Sequence, residues 1–520
     1  MPSAPAPSPP EAPGSPSSPP ASPMGPALAL GLALVLGLIL RLGGLGADVI
    51  SPDEGRYLES AGIHELDPDS SPTAWPGEDL AWARGPKSYP HSYLHQWVAR
   101  QAHRAGTAHK TAIRAGSVLT SMLTALGLAW VLWRRWPARP WTATLAGALV
   151  ALTPLQVWYA RTGWGTTGCT LFVLVAMALG WRLAGARDAG ARLRLGLALT
   201  LAGLAAYGYH EMASVYVVAL GLALLALELF DRRPAPWRSP ALWTWALSSI
   251  PVGLATIWIL LFSDFANEHW FDTVRGERGY FEARQRILGF LFLSGTGLPA
   301  LVTLPVVGLA LTGAASLVRR APREAVFLLT NLVAPFLLFL VFFQDTNLIR
   351  IHLPGACLVL LLAAEGVTWL AGLAGGRARH VVAGLALALL AVEAGASRVT
   401  LTGEPGDALF RAGFFGTVNG DSKSDLARRE GVVVEHIAAD LRPRQTVQAV
   451  GPAALFFLRD AGIAAEEFTS RPSRYVVGRP EAVTRRLKQA GGPVRYRQVE
   501  LEGNGYWVLY ERDRSGAGVP

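Results

Sequence analysis

Long apolar runs separated by short polar turns dominate the sequence. The first run, from Ala27 to about Leu45, is long enough to cross the ~30 Å hydrocarbon core of a bilayer. Ten further runs follow a long polar stretch, near residues 112–133, 141–159, 163–183, 194–209, 211–230, 241–262, 297–317, 324–343, 352–373 and 379–397. The pattern predicts an α-helical polytopic membrane protein with about eleven transmembrane helices, in a membrane domain covering 27–400.

One stretch of this pattern is ambiguous. Residues 194–230 are apolar except at Tyr207-Gly208-Tyr209-His210-Glu211, so they form either one broken run or two helices. Because the stretch exceeds the length of a single span, two helices that turn at this motif are the favoured prediction.

Three segments fall outside the apolar runs. Residues 1–26 are almost entirely Pro, Ala, Ser and Gly, and are predicted to be a disordered cytoplasmic tail. Residues 46–111 form a polar loop rich in Trp, Tyr, His and Pro, in which Tyr89–Ala102 is expected to contribute short interfacial helices. Loops of this length are usually functional.

The tail, residues 403–515, is more charged and alternates short strand-like and helical patterns. The strand-like runs are Thr446–Val450, Arg474–Val477 and Tyr506–Tyr510, and the helical ones are Leu426–Leu441 and Pro480–Gln489. This alternation predicts a small C-terminal α/β domain with an accessory role.

Arginines mark alternate ends of the predicted spans. One set of turns carries Arg134, Arg135, Arg139, Arg182, Arg187, Arg192, Arg194, Arg232, Arg233, Arg238, Arg319, Arg320, Arg323, Arg377 and Arg379. The opposite short turns carry only Arg161 and Arg350. By the positive-inside rule the N-terminus is cytoplasmic, and the first loop, the 263–290 loop and the C-terminal domain are extracytoplasmic. A multi-pass protein of the cytoplasmic (inner) membrane is expected.

Composition supports the same class. The chain is 51% hydrophobic and only 16% charged, whereas soluble proteins carry roughly a quarter charged residues. The net charge of +9 lies in the short arginine clusters, so it indicates membrane topology and no nucleic-acid partner.

The two cysteines, Cys169 and Cys357, lie within apolar runs and cannot build a disulfide framework or a cysteine metal site.

The stretch Ser51–Tyr57 places two adjacent carboxylates, Asp53 and Glu54, directly after the first span. Acids near the hydrocarbon edge cost free energy, so the pair invites a functional interpretation. An exposed acid pair with Arg56 as counter-ion is the alternative for this stretch alone. A carboxylate here can act as general base on an acceptor hydroxyl or amine. Since ATP is absent outside the cytoplasm, the expected donor is an activated, lipid-linked phosphosugar.

Such a donor needs cationic groups that bind the departing phosphate. On the predicted outer face these are Arg161, Arg350, His352 and Lys87. Arg161 could equally be an interfacial arginine that extends to water, but positive residues on this face are not explained by topology.

A second group is a candidate substrate or metal site. His91 and His95 are four residues apart, which would put both on one helix face, and Tyr209, His210 and Glu211 lie in the interrupted turn. His64 belongs to the same loop. Ordinary interfacial histidines are the alternative. The sequence requires no cofactor and leaves a divalent metal open.

Several motifs together resemble one known family. They are Pro52-Asp53-Glu54-Gly55 with Tyr57 after the first span, Tyr89-Pro90-His91-Ser92-Tyr93-Leu94, Arg114-Ala115-Gly116-Ser117, Tyr159-Ala160-Arg161, and Arg350 with His352 and Pro354. Over about residues 27–370 the chain resembles the GT-C membrane glycosyltransferases of glycosyltransferase family 39. This family includes protein O-mannosyltransferases and lipid A aminoarabinose transferases, and its bacterial branch is described as PMT-like or RgtA/B/C/D-like.

The resemblance implies a GT-C fold and a function. Asp53 would be the catalytic carboxylate and Glu54 its neighbour, while Arg161 and Arg350 would serve a polyprenyl-phosphate sugar donor. The first loop would frame the active site. The sugar would pass to an extracytoplasmic lipid, glycan or protein acceptor. The alternatives are a transporter or flippase of lipid-linked sugars, and an envelope polysaccharide polymerase or ligase.

Overall fold

The structure is a computed structural model of the chain. It describes residues 24–43, 45, 54, 57–58, 92–232, 235–262, 304–342, 352–374, 377–402, 423–441, 445–450, 454–455, 458, 461–469, 473–478, 480–490, 496–499 and 508–512.

Thirteen described helices form the part of the chain that precedes the C-terminal region. They are α1 (Met24–Leu42), α2 (Tyr93–Arg104), α3 (His109–Arg135), α4 (Pro140–Leu152), α5 (Pro154–Ala160), α6 (Thr166–Ala184), α7 (Ala189–Tyr209), α8 (Ala213–Phe230), α9 (Pro240–Phe262), α10 (Leu304–Arg320), α11 (Pro322–Phe342), α12 (Leu353–Leu373) and α13 (Arg377–Thr402).

Within the described residues, nine of these helices are long and apolar enough to cross a bilayer, and the bent pair α4–α5 adds a tenth. The predicted span at 297–317 overlaps α10, which has 17 residues and falls just short of that length. Each of the eleven predicted spans therefore overlaps a described helix or helix pair, and the chain is a multi-pass membrane protein.

The ambiguous stretch 194–230 forms two helices, as predicted. Helix α7 ends at Tyr209, and His210 takes an extended conformation with φ −165° and ψ 135°. Helix α8 begins at Ala213. The polar motif thus forms the turn between two spans.

The predicted span at 141–159 is bent by 54° between α4 and α5. Pro154 has no N–H, so the carbonyl of Val150 loses its helical donor at this point. The buried Arg41 of α1 replaces it, donating to Val150 O at 3.3 Å and to Ala151 O at 2.5 Å. Ser397 of α13 donates to the next carbonyl, Leu152 O, at 2.5 Å. The bend is therefore held by side chains of two other helices.

The described C-terminal residues contain two helices and a five-stranded sheet. The helices are α14 (Lys423–Asp440) and α15 (Pro480–Ala490), and the strands are β1 (Val447–Val450), β2 (Ala465–Glu467), β3 (Tyr475–Gly478), β4 (Tyr496–Gln498) and β5 (Val508–Arg512). The strand order is β2-β1-β3-β5-β4, with β1 parallel to β2 and β3, and β5 antiparallel to its neighbours. The predicted α/β character is confirmed.

One hydrophobic cluster joins this sheet to the membrane helices. It contains Ile437 and Val477 from the C-terminal region together with Tyr159, Trp164 and Leu353 from the ends of the helices. The same cluster includes Tyr57, three residues after Glu54. The C-terminal region therefore belongs to the surroundings of the candidate site.

Candidate active site

Glu54 is buried and held by an arginine of the next span. Arg114, near the start of α3, donates from Nε to Oε1 at 2.7 Å and from Nη2 to Oε2 at 3.1 Å, while its Nη1 donates to Leu45 O at 2.7 Å. Both side chains are at most 3% exposed. A bidentate pair of this kind fixes the orientation of the carboxylate as well as its charge. Through Arg114, helix α3 is thus connected by hydrogen bonds to two residues that follow α1, Leu45 and Glu54.

A third hydrogen bond comes from the turn between α5 and α6. The N–H of Gly163 donates to Glu54 Oε1 at 2.8 Å. A Cβ atom at residue 163 would lie 2.9 Å from Glu54 Cγ and 2.8 Å from Ile113 Cγ1. Only glycine allows the main chain to approach the carboxylate this closely.

Arg161 binds the C-terminal end of α1. Its Nη1 donates to Leu40 O and Arg41 O, each at 3.2 Å, and also to Gly43 O. The last carbonyls of a helix lack partners within that helix, and the negative end of its dipole attracts a cation. The side chain is buried, so Arg161 does not extend to bulk water as an ordinary interfacial arginine would.

Four of the predicted site residues, Asp53, Lys87, His91 and Arg350, lie outside the described residues. Their roles stay predictions. Asp53 precedes Glu54 directly in the sequence.

His95 lies in α2, within the first loop, and is also buried. Its Nε2 donates to Gly163 O at 2.9 Å, and its ring contacts those of Tyr57 and Tyr209, with centroids 6.0 Å and 6.2 Å away. Burial lowers the pKa of His95 to about 4, so the imidazole is neutral near pH 7. Helix α2 begins at Tyr93, after His91, so only one histidine of the predicted pair lies on the described helix.

The turn between α7 and α8 lies beside His95. Ser92, which precedes α2 with a φ of 63°, donates to Tyr209 O at 2.6 Å. His210 Nδ1 lies 3.0 Å from Glu211 Oε2, and both residues are buried. Burial together with the nearby Glu211 carboxylate raises the pKa of the Tyr93 phenol. Tyr209 thus contacts both Ser92 and the His95 ring, and His210 and Glu211 follow it in the same turn. Their role in a substrate or metal site stays a prediction.

His352 occupies a separate apolar niche at the N-terminal end of α12. Its ring lies between those of Phe336 and Phe339, each with a centroid distance of 5.5 Å. Among the described residues, no contact joins His352 to Glu54, Arg161 or His95, so its predicted phosphate-binding role gains no support from proximity to them.

A metal cluster is not found in the described part of the chain. There, no group of three or more His, Cys, Asp or Glu side chains could hold a metal ion. The Nε2 atom of His95 is also engaged by a main-chain carbonyl. A metal at this site would therefore need ligands from residues outside the described ranges.

Two residues of the site, Arg114 and Gly163, were not predicted as site residues. Arg114 begins a span on the face where only Arg161 and Arg350 had been noted, so the same charge argument could have found it. Gly163 acts through its main chain, and a single sequence carries no signal for such a contact.

Comparison with known proteins gives the fold. No family model and no curated protein sequence matches the chain. The solved structure of ArnT from Cupriavidus metallidurans bound to undecaprenyl phosphate superposes with a TM-score of 0.56 at 16% identity, covering 96% of this chain and all of that one. The apo ArnT structure gives 0.55 at 16% identity, over 93% and 97% of the two chains. ArnT is a lipid A aminoarabinose transferase.

The chain has a GT-C-like fold. A lower similarity, with a TM-score of 0.47 at 13% identity, relates it to the oligosaccharyltransferase AglB from Archaeoglobus fulgidus, over 95% of this chain and 75% of that one. The two ArnT superpositions cover 93% or more of this chain.

Proposed function

We propose that the protein is a membrane glycosyltransferase that moves a sugar from a polyprenyl-phosphate donor to an extracytoplasmic acceptor. The observation that carries this proposal is the carboxylate of Glu54, buried after the first span and held by Arg114 and Gly163 next to Asp53. The GT-C-like fold supports the same class, since one ArnT structure with this fold contains undecaprenyl phosphate.

The two acids take different parts in the proposed reaction. Both oxygens of Glu54 accept hydrogen bonds from Arg114 or Gly163, so this carboxylate is a positioning group. Asp53 is the general base. It removes the proton from the acceptor hydroxyl or amine while that atom forms a bond to the anomeric carbon of the donor sugar.

The bond between the anomeric carbon and the phosphate oxygen breaks at the same time. The electron pair leaves with the polyprenyl phosphate, whose growing negative charge requires cations. Arg161, Arg350, His352 and Lys87 are the proposed groups. Arg161 also caps α1 through Nη1, so its substitution is expected to weaken both donor use and the fold.

The proposal includes an orientation. The arginine-rich turns lie in the cytoplasm, with the N-terminus, and the C-terminal region lies outside, in the cytoplasmic (inner) membrane of the cell. Glu54, Arg161 and His95 are then on the extracytoplasmic side, where lipid-linked sugars are available.

Replacing Asp53 with Asn tests the base directly. Asn keeps the shape of the side chain but cannot accept the proton, so transfer should fall by about 10²–10⁴-fold, with normal membrane insertion. Asp188→Asn is the control, because Asp188 is an exposed cap of α7 that accepts a hydrogen bond from Ala191 N, which Asn can also accept. Transfer at the wild-type rate by the Asp53→Asn variant would contradict the assignment.

The sugar and the acceptor require a separate experiment. Mass spectrometry of envelope glycolipids, glycans and glycoproteins from a deletion strain should show the loss of one sugar modification. Complementation with the wild-type chain should restore it, and complementation with the Asp53→Asn variant should not.

A further inference from the structure

Both main-chain polar groups of Gly163, the N–H and the carbonyl, form hydrogen bonds with buried side chains. Its N–H donates to Glu54 Oε1 at 2.8 Å, and its carbonyl accepts from His95 Nε2 at 2.9 Å. His95 lies in α2 and Glu54 follows α1, while Gly163 belongs to the turn between α5 and α6. A single glycine therefore connects the buried acid to a helix of the first loop.

The His95 ring also contacts the rings of two tyrosines, Tyr57 and Tyr209. Tyr57, three residues after Glu54, meets it edge-on with a ring centroid distance of 6.0 Å. Tyr209, at the end of α7, lies 6.2 Å away. Ser92 adds a hydrogen bond from the same end of α2 to Tyr209 O. His95 thus contacts both the segment that contains Glu54 and Tyr57 and the end of α7.

The hydrogen bond fixes the protonation pattern of His95. A carbonyl oxygen can only accept, so the proton is on Nε2. Nδ1 faces Gly116 of α3, where a Cβ atom would lie 3.6 Å away, and it is buried without a hydrogen-bond partner in the described residues. The imidazole is neutral because burial lowers its pKa to about 4. A neutral imidazole whose Nε2 donates to a carbonyl is suited to fixing the position of that carbonyl and unsuited to proton transfer.

We propose that His95 is a positioning residue for glycosyl transfer, which orients the acid pair by holding Gly163 against Glu54. This inference rests on the proposed function. It assigns His95 no contact with donor or acceptor. Loss of its hydrogen bond should therefore lower the rate of the chemical step and leave donor binding unchanged, since small misplacement of a reacting group can cost about 10²-fold in rate.

Two replacements separate the hydrogen bond from the packing of the ring. His95→Phe keeps an aromatic ring between Tyr57 and Tyr209 but cannot donate. His95→Gln loses the ring but carries an amide N–H₂ at a reach similar to that of Nε2. His103→Gln is the matched control, because His103 lies on the same helix and its Nδ1 hydrogen-bonds to the local carbonyl of Thr107, at 2.9 Å.

The experiment measures kcat, the KM for the polyprenyl-phosphate donor and thermal unfolding of each purified full-length variant. We expect His95→Phe to lower kcat by about 10–100-fold with an unchanged donor KM. We expect His95→Gln to recover most of the rate, and His103→Gln to equal the wild type. If His95→Phe does not fold, His95→Asn replaces it, because its amide is too short to reach Gly163 O.

Three results would overturn the inference. They are an unchanged kcat in His95→Phe, a donor KM that rises in proportion to the loss of rate, and a rate in His95→Gln as low as in the non-donating variant. Absence of transfer by the wild type with polyprenyl-phosphate donors would instead contradict the proposed function itself, so the two failures are distinguishable.

Discussion

Charged side chains next to the C-terminal end of α1 are buried, and main-chain groups satisfy much of their hydrogen bonding. Arg41 and Arg161 donate to carbonyls, and Glu54 accepts from Gly163 N as well as from Arg114. A buried charge without partners would cost several kcal/mol. The positions of these side chains therefore depend on the main-chain geometry, and small changes in that geometry should displace the acid pair.

Gly163→Ala tests this dependence at the residue where the approach is closest. The new methyl group would lie 2.9 Å from Glu54 Cγ and 2.8 Å from Ile113 Cγ1, so the carboxylate or the turn has to move. We expect transfer to fall by about 10-fold or more, since a shift below 1 Å already disturbs a reacting group. Kinetics of the purified variant measure this.

Gly127→Ala is the matched control for that variant. Gly127 lies in α3, and a Cβ atom there would have nothing within 4 Å. Alanine in this helix should keep the wild-type rate and stability or improve stability slightly. Equal rates for the Gly163→Ala and Gly127→Ala proteins would show that the close approach of the Gly163 main chain to Glu54 does not affect glycosyl transfer.

The residue scale is also where the sequence was least informative. The pair Asp53 and Glu54 was recognisable as a candidate from its place after a span. The partner of Glu54, Arg114, is 60 residues away, and the N–H of Gly163 is 109 residues away. Which polar groups meet across such distances depends on helix packing, which a single sequence does not encode in any local pattern.

At the scale of elements, hydropathy predicted the helices well because a bilayer requires long apolar segments with internally satisfied main chains. The run at 141–159 was predicted as one span, and the bend between α4 and α5 within it was not predicted. Pro154 was the available signal, but only the structure shows which side chains donate hydrogen bonds to the carbonyls at the bend. Strands β2 and β4, of three residues each, were missed because so short a run has no readable alternation.

Arg41→Leu tests how the bend is held. It removes the donors to Val150 O and Ala151 O, and in a dry environment each carbonyl left without a partner costs about 1–3 kcal/mol. We expect a clear fall in the thermal unfolding temperature of the detergent-solubilised protein. Ser397→Ala removes only the donor to Leu152 O, so its effect should be smaller. An Arg41→Leu protein as stable as the wild type would mean that the bend does not need this arginine.

The whole molecule combines a GT-C-like membrane bundle with a C-terminal sheet that shares a hydrophobic cluster with the helix ends. The fold class and the α/β character of the tail could be predicted, because hydropathy and short alternating patterns act over whole segments. The joining of the two parts through Tyr159, Leu353 and Ile437 could not, since it depends on contacts between distant apolar side chains.

At this scale the proposed enzyme also has to be distinguished from a transporter of lipid-linked sugars. A transporter needs two compartments to produce a measurable result, whereas a transferase converts its donor in any medium where the fold is kept. Donor conversion by one preparation of purified full-length protein in detergent therefore distinguishes the two functions.

The most direct test of glycosyl transfer is therefore turnover of labelled polyprenyl-phosphate sugars by that preparation, with envelope extract as the source of acceptor. We predict that label passes to an acceptor and that free polyprenyl phosphate accumulates with time, and that the Asp53→Asn protein does neither. An intact donor after prolonged incubation with wild-type protein, together with movement of the labelled lipid between the leaflets of reconstituted vesicles, would contradict the account.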